Sequence, residues 1–250
     1  MSYNELAGRT FIVTGAASGM GKALSLLLAE QGANVALLDL QPSEAVAEAV
    51  EAAGGRALTL ACNVQNAQSV NDATKAVVDH FGDLHGAANM AGIAFTKKTS
   101  IAQFPLETLD DDDWDMIMKT NLDGVKNCLR AQLREMKGAG SIVNAASIAG
   151  QMGASGCSPY ICSKWGVIGI TKTAAKEAGK RGIRVNAVAP GIIQTPLTAP
   201  ANPARAAALA ATALGRMGQP EEVSRTILFL LSDQSSFITA SVVNVDGGYF

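Results

Sequence analysis

Short apolar runs alternate with longer helix-like segments from one end of the chain to the other. The short runs are rich in Val and Ile. This alternation is typical of βαβ units around a parallel sheet. It predicts strands at 10–14, 34–39, 57–62, 84–89, 141–146, 184–189 and 242–246, and helices at 19–31, 43–53, 66–81, 114–137, 159–181 and 221–232.

These elements predict an α/β fold, a doubly wound sheet of about seven parallel strands flanked by helices. No internal repeat, low-complexity linker or charged hinge interrupts the pattern, so we expect a single domain over residues 1–250. The segments 93–112 and 190–214 lack strong periodicity. Long irregular connections in a compact domain are usually functional, which makes these two segments the candidate walls of a substrate site.

Composition and charge narrow the classes of partner. Hydrophobic residues make up 48% of the chain and charged residues 17%, as in a well-buried globular protein. Twenty basic and 22 acidic residues leave a net charge of −2 without a long basic block, which argues against nucleic acid and acidic membranes as partners. With no signal-peptide pattern and no apolar span of about 18 residues, we expect a soluble, cytoplasmic protein.

Cysteine and histidine usage argues against a metal site. The four cysteines have neither paired zinc spacing nor the density of a disulfide scaffold, so free thiols are expected. The two histidines, His80 and His85, have no spacing that joins them to a nucleophile. A serine hydrolase that uses a histidine base is therefore disfavoured.

A glycine-rich turn follows the first predicted strand. The stretch "TGAASGMG" places Gly15, Gly19 and Gly21 between a strand and an apolar helix. Glycines at such a turn let the backbone approach a pyrophosphate, and the helix N-terminus offers free N–H groups. A glycine-rich turn alone is a weak signal, but its place between strand and helix favours a dinucleotide-binding loop.

An acidic residue ends the second predicted strand. Asp39 lies 24 residues after Gly15, where a carboxylate would accept hydrogen bonds from an adenosine ribose. The alternative, a solvated turn residue, is less favoured given the preceding glycines. A carboxylate there would repel the 2′-phosphate of NADP, and neither Leu40 nor Gln41 supplies a cation to hold it. The expected cofactor is therefore NAD(H), with NADP(H) disfavoured.

A tyrosine and a lysine stand one helical turn apart in "SPYICSKWG". Tyr160 and Lys164 share a helix face at this spacing, because side chains four residues apart stack on one another. Taken alone, the pair is more simply read as a tyrosine at the core edge covered by a lysine stem. A catalytic reading needs partners elsewhere in the chain.

Those partners are present as an ordered set of motifs over nearly the whole chain. They are "TGAASGMG", "NMAG" (89–92), "NLDG" (121–124), Ser147, "YICSK" (160–164), "PGIIQT" (190–195) and "VDGG" (245–248). In this order the chain resembles the short-chain dehydrogenase/reductase family in its single-domain, Rossmann-type form. Two positions depart from the family pattern: Met90 stands where a second Asn is usual, and Asn63 where an Asp is usual.

The resemblance assigns four residues to catalysis. It implies that Tyr160 is the general acid/base at the substrate oxygen and that Lys164 lowers its pKa and binds the nicotinamide ribose. Ser147 would hydrogen-bond the substrate oxygen. Asn121 would distort its helix so that a backbone carbonyl holds a water on a proton path through Lys164. Read singly, Ser147 is a strand-end cap and Asn121 a buried amide.

The resemblance also assigns cofactor contacts along the chain. Besides Tyr160, Lys164 and Asp39, it implies the glycine loop near the phosphates, an adenine site, a ribose-lining stretch and a carboxamide site. The residues are Gly15, Ser18, Gly19, Met20 and Gly21; Asn63 and Val64; Asn89, Ala91 and Gly92; and Pro190, Gly191, Ile193 and Thr195.

Apolar residues near the expected nicotinamide predict a lipophilic secondary alcohol or ketone as substrate, and the resemblance implies a homodimer or homotetramer. Two other functions stay open: a lyase, isomerase or cyclase that keeps a bound nucleotide without net redox, and a nucleotide-binding protein without turnover. An intact set of Ser147, Tyr160 and Lys164 argues against a nucleotide-binding protein without turnover, which would not need these residues. The apolar residues are Ile93, Phe95, Ile148, Met152, Ile192 and Leu197.

Overall fold

The computed structural model describes residues 3–96, 105–198 and 209–249 and contains one parallel sheet. Its seven strands lie in the order β3-β2-β1-β4-β5-β6-β7, which confirms the predicted doubly wound, Rossmann-type fold. The apolar runs form these strands because a parallel sheet covered on both faces buries its central strands, whereas the edge strands β3 and β7 stay partly exposed. The strands are β1 Thr10–Thr14, β2 Asn34–Asp39, β3 Arg56–Ala61, β4 Gly86–Asn89, β5 Gly140–Ala145, β6 Ile183–Pro190 and β7 Val242–Val245.

Helices cover both faces of the sheet and enclose two apolar cores. One core packs α1, α2 and α7 against the sheet, and the other packs α3, α5 and α6 against the opposite face. No helix among the described residues is long and apolar enough to cross a bilayer. The helices are α1 Gly19–Ala29, α2 Glu44–Ala52, α3 Ala67–Phe81, α4 Asp111–Met118, α5 Gly124–Glu135, α6 Ser158–Ala178 and α7 Pro220–Leu231.

The long helix predicted at 114–137 differs most from its prediction. It begins earlier, at Asp111, where Asp110 caps it by accepting a hydrogen bond from the Asp112 backbone N–H at 2.8 Å. It is also interrupted, because Lys119–Asp123 forms a π-helical turn between α4 and α5. Such a turn carries one extra residue in its hydrogen-bonded ring and is frequent at functional sites. Asn121 lies in its centre.

The strand order reverses beside β1, which pairs with β2 on one side and β4 on the other. The connections that leave these strands therefore run to opposite faces of the sheet and open a crevice at the carboxyl ends of β1 and β4. Ligands bind at such points in open α/β sheets. The fold thus brings the glycine loop, the end of β4 and the end of β5 to the same edge.

Four buried polar side chains join the central strands to two helices. Asn89 in β4 donates to Gln132 in α5 (3.1 Å) and to Asn144 in β5 (2.8 Å), and Gln132 donates back to Asn89 (2.7 Å). Asn144 donates to the Thr171 hydroxyl in α6 (2.9 Å), and this hydroxyl donates to the Val167 carbonyl (2.7 Å). This buried amide network holds β4, β5, α5 and α6 in register.

The network predicts the effect of removing one hydroxyl. Thr171→Val keeps the shape of the side chain but leaves the buried Asn144 amide without its acceptor. We expect the free energy of unfolding to fall by about 1–3 kcal/mol, measured by urea denaturation. Thr173→Val is the matched control, because Thr173 lies on the exposed side of the same helix, where its hydroxyl donates to the Gly169 carbonyl. An equal loss in both variants would contradict the assigned role of the network.

Candidate active site

The glycine loop joins β1 to α1 and borders an open cleft of about 300 Å³. A β-carbon on Gly21 would lie 2.2 Å from the Gly15 carbonyl oxygen, so only glycine allows the loop to close onto the start of α1. The Ser18 side chain precedes α1 without making a capping hydrogen bond. The N-terminal N–H groups of an 11-residue helix therefore face a cleft lined by Gly15, Ser18, Gly19, Met20 and Gly21.

Asp39 lines the same cleft next to the glycine loop, at the end of β2. Its carboxylate accepts hydrogen bonds from the backbone N–H groups of Ala17 (3.0 Å) and Gln41 (2.9 Å). These bonds fix the carboxylate at the entrance of the cleft, where it is partly exposed. No Arg or Lys stands among the described residues that line the cleft. Its entrance therefore presents a negative charge with no cation nearby to offset it.

The end of β4 forms the floor between this cleft and a second cavity. The Thr14 hydroxyl accepts hydrogen bonds from the backbone N–H groups of Met90 (3.0 Å) and Ala91 (3.1 Å), which fixes this stretch of backbone against β1. The Met90 side chain borders both spaces, and so does Met20 from the glycine loop. Val64, Ala91, Gly92 and Thr195 also line the cleft.

Two residues predicted to contact the cofactor turn their side chains elsewhere. The Asn63 carboxamide oxygen accepts a hydrogen bond from the Gln65 backbone N–H at 3.0 Å, and Asn63 does not line the cleft. The Asn89 carboxamide lies in the buried amide network below the sheet edge. Asn89 lines neither the cleft nor the second cavity, and the cofactor contacts of Asn63 and Asn89 stay predictions.

Ser147, Tyr160 and Lys164 lie together at the second cavity. Ser147 follows β5 by two residues and caps the short 3-10 turn Ile148–Gly150, accepting from the Ala149 backbone N–H at 3.1 Å. The Tyr160 hydroxyl lies close to the Ser147 side chain. The Lys164 ammonium lies 5.5 Å from the centre of the Tyr160 ring and donates to the Ala145 carbonyl at 2.8 Å.

Burial dominates the protonation of this group. It raises the pKa of Tyr160 above its ordinary value, and the hydrogen bond from Ser147 acts in the opposite direction. Burial also lowers the pKa of Lys164 to about 8, so the ammonium form still predominates at neutral pH. The sequence predicts a lowered Tyr160 pKa from Lys164 together with a bound nicotinamide ring. In the chain alone the pKa is raised, so that lowering stays a prediction for the cofactor complex.

Asn121 in the π-helical turn connects the site to α6. Its carboxamide accepts from the Ile93 backbone N–H and donates to the Ile93 carbonyl, each at 2.8 Å. It also donates to the Ser163 hydroxyl (3.1 Å), which donates to the Tyr160 carbonyl (2.7 Å). The helix distortion expected at Asn121 is present, whereas the proposed water and proton path stay predictions. Ser163 was not predicted, although it stands next to Lys164.

The second cavity has a volume of about 260 Å³ and is mainly apolar. Lys164 is the one charged side chain among its described lining residues. Ile93 and Phe95 were predicted to line it but do not; both border a surface groove near α4, and Ile93 also lines the glycine-loop cleft. Residues 97–104 and 199–208 of the two predicted substrate segments lie outside the described residues. The cavity lining includes Ile148, Met152, Pro190, Gly191, Ile192, Ile193, Thr195 and Leu197.

Comparison with known proteins agrees with this arrangement. A family model described as Enoyl-(Acyl carrier protein) reductase matches residues 15–250. A 3-oxoacyl-(acyl-carrier-protein) reductase of Thermotoga maritima is 41% identical, over 98% of each chain. A cyclohexanol dehydrogenase of an Acinetobacter species is 39% identical over 98% of this chain and 96% of its own. A short-chain type dehydrogenase/reductase structure from Mycobacterium marinum has a TM-score of 0.91 at 31% identity, covering 99% of this chain and 97% of its own.

The chain belongs to the short-chain dehydrogenase/reductase family. This is a family of oxidoreductases that use a nicotinamide cofactor. The residues of the cleft fit such a group, because the glycine loop leaves space for a pyrophosphate and the helix N-terminus favours its charge. The cleft meets the cavity beside Met20 and Met90, close to the side chains that could exchange a proton with a substrate.

The glycine loop of this dehydrogenase/reductase predicts a test of cofactor binding. In Gly21→Ala the new methyl group would press on the Gly15 carbonyl and displace the loop. We expect the NADH dissociation constant, measured by the fluorescence of the bound cofactor, to rise at least about tenfold, or 1.4 kcal/mol. Gly169→Ala is the control, because a methyl group at this exposed position of α6 meets nothing within 4 Å. Unchanged NADH binding in Gly21→Ala would contradict the assigned cleft.

Proposed function

We propose that the protein is an NAD(H)-dependent oxidoreductase that interconverts a lipophilic secondary alcohol and its ketone. One observation carries the proposal: Ser147 and Tyr160 lie side by side, close to the buried Lys164 ammonium, in an apolar cavity that adjoins the glycine-loop cleft. A ketone bound there could exchange a proton at its oxygen with Tyr160 and a hydride at its carbon with a nicotinamide held in the cleft.

In this proposal Tyr160 exchanges the proton with the substrate oxygen. During ketone reduction its hydroxyl donates a proton to the oxygen, and during alcohol oxidation its phenolate accepts one. Ser147 donates a hydrogen bond to the same oxygen and holds it at the phenol. A bound nicotinamide supplies or accepts the hydride. Because burial disfavours the phenolate, Lys164 contributes by keeping a positive charge one helical turn away.

Asn121 acts indirectly in the proposed reaction. Through Ser163 it is tied to the Tyr160 backbone, and through Ile93 to the segment after β4. These bonds would hold the turn that carries Tyr160 at a fixed distance from the cofactor floor. Precise placement of a reacting group is worth several kcal/mol in catalysis.

The cofactor would be held from both sides of the cleft. The glycine loop and Ser18 would bind the pyrophosphate, and Asp39 the adenosine ribose. The backbone of residues 89–92 would lie along the nicotinamide ribose, close to Lys164. The nicotinamide carboxamide would meet the end of β6 and the segment that follows it, at Pro190, Gly191, Ile193 and Thr195.

The substrate class follows from the cavity lining. Lys164, beside Tyr160, is the one charged side chain in the described lining of the cavity. The described lining therefore offers no further cation to bind a substrate carboxylate or phosphate. Ile148, Met152, Ile192 and Leu197 instead offer apolar contact. The similarity to a cyclohexanol dehydrogenase makes an alicyclic ketone a reasonable first substrate to test.

We expect the working assembly to be a homodimer or homotetramer. Helices α5 and α6 run for 12 and 21 residues, long enough to face a neighbouring subunit as well as the sheet. Sedimentation of the purified protein would measure the assembly directly.

The test of the reaction uses the absorbance of the reduced nicotinamide with a panel of alicyclic ketones, alcohols and a 3-oxoacyl thioester. Consumption of one NADH per ketone supports the proposal. Product formation without a change in NADH would instead favour a lyase, isomerase or cyclase, and NADH binding without any product would favour a nucleotide-binding protein.

Tyr160→Phe tests the acid/base. We expect kcat to fall by about 10²–10⁴-fold, because the proton donor is lost, while the NADH dissociation constant changes less than about threefold. Tyr3→Phe is the matched control, since Tyr3 is buried near the N-terminus, away from both cavities. Normal turnover in Tyr160→Phe would remove the assigned proton donor.

Asp39 gives a separate prediction about the cofactor. Its carboxylate would lie close to the 2′-phosphate of NADPH, and two like charges near 4 Å repel by about 1–4 kcal/mol between bulk water and a protein surface. We expect NADH to bind at least about tenfold more tightly than NADPH and Asp39→Asn to narrow that gap. Glu48→Gln removes the same charge from an exposed position on α2 and should leave the ratio unchanged. A tighter NADPH complex in the wild-type protein would refute the assignment.

A further inference from the structure

One wall of the proposed substrate cavity is an irregular loop that contacts from α6 and β7 hold in place. The substrate loop, Gln151–Cys157, follows the short 3-10 turn Ile148–Gly150 and leads into α6. Four of its residues line the cavity: Met152, Ala154, Gly156 and Cys157. Because the loop belongs to no helix or strand, its position depends on the individual contacts that anchor it.

The first anchors lie where the loop begins. Gly150 packs so closely on α6 that a β-carbon would lie 2.8 Å from the Lys164 carbonyl oxygen. The Gln151 carboxamide then donates to the Asn244 carboxamide oxygen in β7 at 2.8 Å. These two contacts fix the start of the loop relative to the catalytic helix and the last strand.

A further anchor lies directly at the cavity wall. The Trp165 indole N–H donates to the Met152 carbonyl oxygen at 3.2 Å. Trp165 follows Lys164 in α6, yet 51% of its surface is exposed, so it contributes little to the core. Here the N–H reaches the backbone of a residue whose side chain faces the substrate.

We propose that Trp165 is a positioning residue for substrate selection. By holding the Met152 backbone, its indole N–H sets how far the Met152 side chain extends into the cavity. It would thereby control the binding of bulky ketones more than that of small ones, without touching the substrate. This inference rests on the proposed function, because it assumes that the cavity beside Tyr160 receives the ketone.

The kinetic test compares cyclohexanone with the bulkier 2-decalone, using NADH as reductant. Trp165→Phe keeps an aromatic ring but removes the N–H. We expect its KM for 2-decalone to rise about three- to tenfold, the range for loss of one hydrogen bond, with a smaller change for cyclohexanone. The kcat values and the NADH dissociation constant should stay within about twofold of wild type. Equal changes for both ketones, or loss of NADH binding, would overturn the proposal.

Two variants control this experiment. Trp114→Phe makes the same change in α4, away from the cavity, and should leave both KM values unchanged. Met152→Ala removes the side chain through which Trp165 is proposed to act, so adding Trp165→Phe to it should raise the KM for 2-decalone little further. A full additional rise in the double variant would show that Trp165 acts by another route and would overturn the proposal.

A second readout does not depend on turnover. Hydrogen exchange of the backbone amides in 151–157 should be faster in Trp165→Phe than in the wild-type protein or in Trp114→Phe, because one anchor of the loop is lost. Unchanged exchange would overturn the proposal. If the wild-type protein reduced neither ketone, the proposed function would fail, while the exchange measurement would still decide whether Trp165 holds the loop.

Discussion

The hydrogen bond between the Lys164 ammonium and the Ala145 carbonyl is the contact on which the site depends. It joins the catalytic helix α6 to the end of β5 at 2.8 Å and places a cation in a buried position. Burial opposes that charge, as the lowered pKa of Lys164 indicates. The carbonyl offsets part of this cost, and it fixes the ammonium beside Tyr160. Strand order then brings the glycine loop to the same edge, so that the cleft it borders adjoins the cavity that contains Tyr160.

The sheet was predictable because a parallel sheet buries the middle of its central strands, which then appear as short apolar runs such as Phe11–Val13 and Val35–Leu38. The helix distortion at Asn121 was expected only from the family resemblance, since one extra residue in a hydrogen-bonded ring leaves the helical composition unchanged. The grouping of Ser147, Tyr160 and Lys164 followed from the ordered motifs. Their surroundings did not, because the apolar burial that raises the pKa of Tyr160 comes from residues distant in the sequence.

Residues that act through contacts with others also escaped prediction. Nothing in the sequence distinguishes the hydroxyls of Ser163 and Thr14 from others. In the fold, Ser163 donates to the Tyr160 carbonyl, and Thr14 accepts from the N–H groups of Met90 and Ala91. Conversely, the motif assigned Asn89 to the cofactor, whereas its carboxamide serves the sheet. A motif identifies positions that matter but does not say which way a side chain points.

The buried amide network has an evolutionary consequence. Among the described residues, none of the polar atoms of Asn89, Gln132, Asn144 and Thr171 is buried without a partner, so each amide is matched to the next. Replacing one of these residues by an apolar residue leaves a neighbouring donor or acceptor without its partner, whereas replacing all four together would not. We therefore expect these four positions to co-vary during evolution. A redesign towards an all-aliphatic centre has to pass through less stable single variants or replace all four residues at once.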